Sequence, residues 1–216
     1  IWHLEQSYMP MMLKNNSYDT ICHEHLEYYS LFSIKYIFDK IGFKIIDLEF
    51  NDINGGSFSI TVAKKESKHN EVKKIVEWLL HKEKLFKYNE MSSYKIFYKN
   101  IKKHKEIFRD LLLNLKDMKK KVIGYGASTK GNVILQFCNI DNKLLPYIAE
   151  VNKFKHGRYT PGTGIKIIPE TQAREMNPDY FLVLPWHFKN FILGKEKKFL
   201  NNNKKLIFPL PDIEII

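Results

Sequence analysis

Three stretches of this sequence hold side chains of a type and spacing that can do chemistry. In Cys22-His23-Glu24-His25, two imidazoles flank a carboxylate, which suits proton transfer near neutral pH. If the segment is extended, His23 and His25 face one way and Glu24 the other. His-x-His also fits a metal, but no Cys/His pair elsewhere completes a ligand set, so no residue is assigned to a metal. The second stretch is Gly124-Tyr125-Gly126-Ala127-Ser128-Thr129-Lys130-Gly131-Asn132. An apolar run entering closely spaced glycines and a helix start offers backbone N–H groups at a positive dipole end, which suits a phosphate. Lys130 adds a charge. The third glycine falls at 131 rather than 129, and no GK[ST] ending follows, so neither the dinucleotide fingerprint nor a Walker loop is present. The third stretch runs from Glu150 through Asn152, Lys155, His156 and Arg158 to Thr163. Its basic residues can neutralise a diphosphate, and Glu150 or Asn152 can read a sugar or base hydroxyl. Trp186 and His187 end another apolar run and can stack on a ring. Each stretch also has a plainer reading: a solvated polar loop, a tight turn, a packed tryptophan.

The elements around them set where they stand. Residues 30–41 are apolar on a helical period and end in Gly42, which suits a C-cap. Residues 43–50 and 58–63 are strand candidates across the turn Asn54-Gly55-Gly56-Ser57. Residues 68–118 contain no Gly or Pro and carry two apolar periods, which predict two amphipathic helices broken near 88–92. From 120 onward, strands at 121–126, 145–150, 181–184 and 206–208 alternate with helices at 132–137 and 187–200. That alternation predicts a doubly wound, mostly parallel sheet, which binds ligands at the carboxyl ends of its strands. The expected division is 1–67, a helical connector at 68–119, and 120–216.

Composition narrows the classes. The 216 residues carry 44% hydrophobic side chains, enough for a substantial core. Two cysteines far apart exclude a disulfide-framed secreted scaffold and make a reducing cytoplasm the default. No apolar run spans a bilayer, so no membrane role is expected. The net charge is +11, with only three arginines among 35 basic residues. Residues 64–121 hold 17 lysines and one arginine against eight acidic residues, so nearly all of the excess is on the predicted helices. Lysine faces of this kind are read as solvated, and a nucleic-acid partner is not expected, because phosphate and base readout leans on arginine.

Taken in order, YDTICHEHLEYYS (18–30), NGGSFSI (54–60), GYGASTKGN (124–132), NKFKHGRYTPGT (152–163), PDYFLVLPWHF (178–188) and IFPLP (207–211) resemble the SAM-dependent C-methyltransferases that act on nucleotide-linked sugars. The resemblance covers nearly the whole chain. It implies the end of a class I methyltransferase sheet, then the helical connector, then a Rossmann-like domain holding the nucleotide-linked sugar. It further implies that the chain starts at about the fifth strand of the methyltransferase sheet. The zinc-binding segment and the loop that holds SAM would then precede it, and the isolated piece would be inactive.

By the same resemblance, His25 is the base that takes a proton from the carbon beside a keto group, and Glu24 orients it. Gly55, Gly56 and Ser57 form a turn near the active site. Gly124, Gly126, Ser128, Lys130, Gly131, Asn132, Glu150, Asn152, Lys155, His156, Arg158, Trp186 and His187 line the nucleotide-sugar site. The implied reaction is methyl transfer to a carbon of an NDP-4-keto-6-deoxy sugar after enolisation. A non-catalytic nucleotide-sugar-binding module and a related O-methyltransferase are the alternatives. Cys22 stands where the antibiotic-sugar enzymes often have Tyr, and Thr129 replaces a common glycine.

Overall fold

The computed structural model describes residues 1–216, the side chain of Asn54 excepted. The chain forms two compact units. Unit 1 comprises residues 1–17 and 25–100, and unit 2 comprises residues 18–24 and 101–216. The helices expected as a connector divide between them, with the second helix running across the boundary.

Unit 1 contains β1 (Trp2–Ser7), α1 (Met9–Lys14), α2 (Leu31–Lys40), β2 (Phe43–Asn51), β3 (Ser57–Lys64), α3 (Lys73–Leu85) and the start of α4 (Met91–Asp117). Its sheet has the order β1-β3-β2, with both pairings antiparallel. Ile60 of the central strand lies opposite Leu4 on one side and Leu48 on the other. A central strand has a partner on each edge, and here both of its faces are covered, so β3 is buried along nearly its whole length. Leu31, Ile34 and Phe38 recur on one face of α2 and pack with Val76 and Leu79 of α3 over this sheet. Ser30 and Ser33 close a capping box at the head of α2, and Gly42, at φ 79°, follows its end.

A buried carboxylate completes that cap. Glu83 of α3, 3% exposed, accepts from the Leu31 N–H at 2.7 Å through Oε1 and the Phe32 N–H at 2.9 Å through Oε2. The Tyr8 hydroxyl donates to the same Oε1 at 2.7 Å. A negative charge at a helix amino end satisfies donors that have no partner inside the helix.

Unit 2 continues α4 and adds β4 (Val122–Tyr125), α5 (Thr129–Phe137), β5 (Tyr147–Glu150), β6 (Lys166–Pro169), α6 (Glu170–Glu175), β7 (Tyr180–Val183), α7 (Lys189–Lys195), α8 (Lys197–Asn201), β8 (Lys205–Phe208) and β9 (Glu214–Ile215). The sheet order is β6-β5-β4-β7-β8-β9, parallel as far as β8 and antiparallel only at β9. The chain winds outward from β4 to β6 on one side, then returns to place β7 on the other. The switch point therefore lies between β4 and β7, where open α/β sheets bind ligands. This is a mixed α/β unit with a mostly parallel six-stranded sheet, consistent with a Rossmann-like domain.

Several boundaries differ from expectation. α5 begins at Thr129 rather than 132, because the Ser128 hydroxyl caps it. The single helix expected at 187–200 is broken into a 3-10 turn at Trp186–Phe188, then α7 and α8. Glu196 sits at the break between α7 and α8, 1% exposed, with its side chain drawn inward to Arg174 and Tyr125. β6, α6 and β9 were not anticipated.

Candidate functional site

The loops at the switch point are held by their own side chains and by close packing. Gly126 ends β4 at φ 82°, and a Cβ there would lie 2.8 Å from two ring carbons of Pro185, which follows β7. Only glycine fits that conformation and approach. Gly131, in the first turn of α5, would carry a Cβ 2.8 Å from Leu184 Cβ, so it permits the helix to close on the end of β7. Its N–H is taken by the Ser128 hydroxyl at 3.0 Å. Gly124 is buried within β4 against Ile148.

Glu150 ends β5 and is 8% exposed. Its Oε2 accepts from the Ala127 N–H at 2.9 Å, and its Oε1 from the N–H groups of Val151 at 2.8 Å and Asn152 at 2.9 Å. Lys155 donates to the Ala127 carbonyl at 2.7 Å and stands 3.8 Å from Glu150 Oε2. The Nε2–H of His156 donates to the Glu150 carbonyl at 2.8 Å, and Asn152 caps the short turn at Lys153–Lys155. One carboxylate thus ties the β4 and β5 loops together. It occupies the strand end from which doubly wound folds read a ribose hydroxyl, and its Oε2, which takes only the Ala127 N–H, has a second lone pair for such a donor.

Above these loops is a cleft of about 580 Å³, lined by Gly126, Ala127, Ser128, Glu150 and Lys155 on one side and by Phe188, Phe191 and Ile192 on the other. The two phenylalanines are 57% and 71% exposed, so both rings are open to the cleft. The size suits a nucleoside. Tyr125 and Lys195 close one end: Lys195 Nζ donates to the Tyr125 hydroxyl at 2.6 Å, which donates to Glu196 at 2.9 Å. Burial, then the Glu196 charge, pushes the Tyr125 phenol above its ordinary range, so it stays protonated. Another cleft, of about 530 Å³, involves Asn177, Pro178 and Lys204, which precede β7 and β8 and so lie at the amino edge of the sheet, away from the switch point.

On the other flank of α5 lies the segment 18–24. Asp19, fully buried, accepts from the Trp186 indole N–H at 2.8 Å. Glu24 accepts from the Thr129 hydroxyl at 3.2 Å. Cys22 and His23 line a recess of about 360 Å³ with Thr129, Asn132 and Gln136. Burial lowers the Lys130 pKa, opposed by the charges of Asp19, Cys22 and Glu24. Burial and then the Lys130 charge bring His187 down to about 4, so its ring is neutral at working pH.

Residues 52–211 match the family model described as the C-methyltransferase C-terminal domain. The chain belongs to this C-methyltransferase family. Over all 216 residues it is 32% identical to the C-methyltransferase NovU of Streptomyces niveus. It spans 51% of that protein's length.

Within this C-methyltransferase chain, the structure gathers Gly126, Ser128, Glu150 and Lys155 around one cleft. Asn132 faces the neighbouring recess, and Lys130 and His187 lie close enough for the charge of one to act on the other. Asn152 and Arg158 are exposed beside the β5 end, and Arg158 accepts the Ile167 N–H through its carbonyl. Trp186 is 7% exposed and spends its N–H on Asp19, which fits the packed reading of this tryptophan, while Phe188 and Phe191 line the cleft. Residues 22–24 form a bend and turn, so the alternate facing expected of an extended His23-Glu24-His25 does not apply.

His25, half-buried, follows directly and belongs to unit 1. There too, the Gly55 and Gly56 carbonyls accept from Asn15 Nδ2 at 3.1 Å and the Tyr8 N–H at 3.0 Å, and the Ser57 hydroxyl donates to the Ile53 carbonyl at 2.9 Å. Among the described residues no three His, Cys, Asp or Glu side chains gather as metal ligands would, and no helix is long and apolar enough to cross a membrane. Sequence reasoning missed Asp19, Phe188 and Phe191. The i, i+3 spacing of the two phenylalanines straight after Trp186-His187 was the available signal.

Proposed function

We propose that the protein is a SAM-dependent methyltransferase that places a methyl group on a carbon of an NDP-4-keto-6-deoxy sugar. The observation that carries the reading is the switch-point cleft, with Glu150 at the β5 end, in a chain of the C-methyltransferase family. The cleft in unit 2 takes the nucleoside, with Glu150 on the ribose and Phe188 and Phe191 against the base. The amino end of α5 and Lys155 meet the diphosphate.

In this reading His25 takes the proton from the carbon next to the keto group, and the electron pair passes to the carbonyl oxygen as an enolate. The enolate carbon then forms its bond to the methyl group. SAM supplies that methyl as an electrophile on sulfonium, and the sulfur departs as a neutral thioether. Glu24 holds the segment that carries the base. The antiparallel sheet of unit 1 is read as the end of a class I methyltransferase sheet. The glycine turn and strand-end acid of unit 2 are assigned to the nucleotide, so the SAM site is placed in the part of the relative's length that this chain does not span, and zinc with it.

The test is proton exchange. With SAM and the keto sugar in deuterated water, the full-length protein washes deuterium into the position beside the carbonyl. His25→Ala lowers that rate by about 10²- to 10⁴-fold, the usual contribution of a general base. Exchange at the wild-type rate in His25→Ala removes His25 from the role.

A further inference from the structure

Tyr18–Glu24 is separated in sequence from the rest of unit 2 yet packs within it, and it is fastened at three points. The Tyr18 hydroxyl lies 3.2 Å from His104 Nδ1, and His104 Nε2 lies 2.6 Å from the Pro209 carbonyl. A carbonyl only accepts, so Nε2 carries the hydrogen, and Nδ1 of the neutral ring accepts from Tyr18. Asp19 takes the Trp186 N–H on Oδ2, while its buried Oδ1 has no hydrogen-bond partner among the described residues. Glu24 takes the Thr129 hydroxyl. Trp186 follows β7 and Thr129 opens α5, so the last two fastenings reach the two loops that flank the switch point.

A buried carboxylate with no hydrogen bond on one oxygen is a poor way to stabilise a fold: the indole and the nearby Lys130 charge favour its charged form, but burial outweighs them. The arrangement makes sense where the exact placement of the segment matters more than stability. We infer that Asp19 is a positioning residue for the reaction: through Trp186 it sets the segment that ends in Glu24, the residue before His25, against the switch-point loops. This rests on the reading of His25 as the base.

The test uses the full-length enzyme and compares Asp19→Ala, Asp19→Asn and His25→Ala. Asp19→Ala is expected to lower kcat for methyl transfer and the deuterium wash-in rate by about 100-fold, the scale of a misplaced catalytic group. The Kd for uridine or thymidine diphosphate as probe should change by less than about threefold, because the interaction matters in the transition state and not in binding. Asp19→Asn keeps an oxygen for the indole and should recover kcat to within about fivefold. It also keeps the test open if Asp19→Ala does not fold. An unchanged kcat in Asp19→Ala, a loss confined to KM and the probe Kd, or an Asp19→Asn variant as slow as Asp19→Ala would overturn the inference. If His25→Ala itself exchanges normally, the base assignment falls, and this inference with it. If His25→Ala is inert while Asp19→Ala is unaffected, only the inference falls.

Discussion

Glu83 in unit 1 and Asp19, one of three buried carboxylates in unit 2, are held in different ways. Glu83 in unit 1 has three donors on its two oxygens, two of them the first N–H groups of α2. Asp19 in unit 2 is more deeply buried, yet it has one indole donor on Oδ2, the Lys130 charge nearby, and, among the described residues, no hydrogen bond on Oδ1. A satisfied buried charge at a helix head supports the fold; a partly satisfied one is costly and is retained where geometry serves chemistry. The contrast separates a group that builds its unit from a group that aims part of it.

The largest effect expected from the contrast is on stability. Glu83→Ala strands two helix N–H groups and the Tyr8 hydroxyl, and should lower the unfolding free energy by about 3 kcal/mol. Asp19→Asn should change it by less than about 1 kcal/mol, since the amide oxygen still accepts the indole N–H. Urea titration of both variants checks this. A Glu83→Ala protein as stable as wild type would break the comparison from the unit 1 side.

A smaller effect concerns pH and sharpens the unit 2 side. His187 has its folded pKa lowered to about 4 by burial and by the Lys130 charge. The unfolded ring takes a proton near pH 6.5 that the folded ring refuses, so stability is full above about 6.5 and is lost as pH falls towards 4. Thermal melts from pH 7 to 4 should show Tm falling more steeply in wild type than in His187→Leu. Equal slopes would mean that the ring is not held neutral beside Lys130.

How much of this was legible depended on the range of the interactions. α2, β2 and β3 follow from apolar period and from Gly42 and the 54–57 turn, all local signals. The parallel strands at β4, β5, β7 and β8 were visible as short apolar runs. β6 was not, because Lys166–Pro169 ends in a proline that also precedes α6. The break at Glu196 could not be read, since it depends on Arg174 and Tyr125, far away in sequence.

The same limit governed the site. The glycine turn and Glu150 stand at the ends of β4 and β5, where the apolar runs of the sequence put strand ends. Trp186 could be read either as a stacking ring or as packing, because the partner of its N–H, Asp19, is 167 residues away. Glu83 looked like one more charge on a solvated lysine-rich face. The lysines around it are indeed mostly exposed, but its own side chain turns inward.

The central claim is that the switch-point cleft of unit 2 holds the nucleotide. Backbone amide shifts of the ¹⁵N-labelled protein, titrated with uridine diphosphate, thymidine diphosphate and S-adenosylhomocysteine, test it most directly. The account predicts a saturable response to a nucleoside diphosphate at Gly126, Ser128, Thr129, Val151 and Asn152. Shifts confined to the lysine faces of α3 and α4 that vanish with added salt, or a response of the cleft amides to S-adenosylhomocysteine in place of the diphosphates, would contradict it.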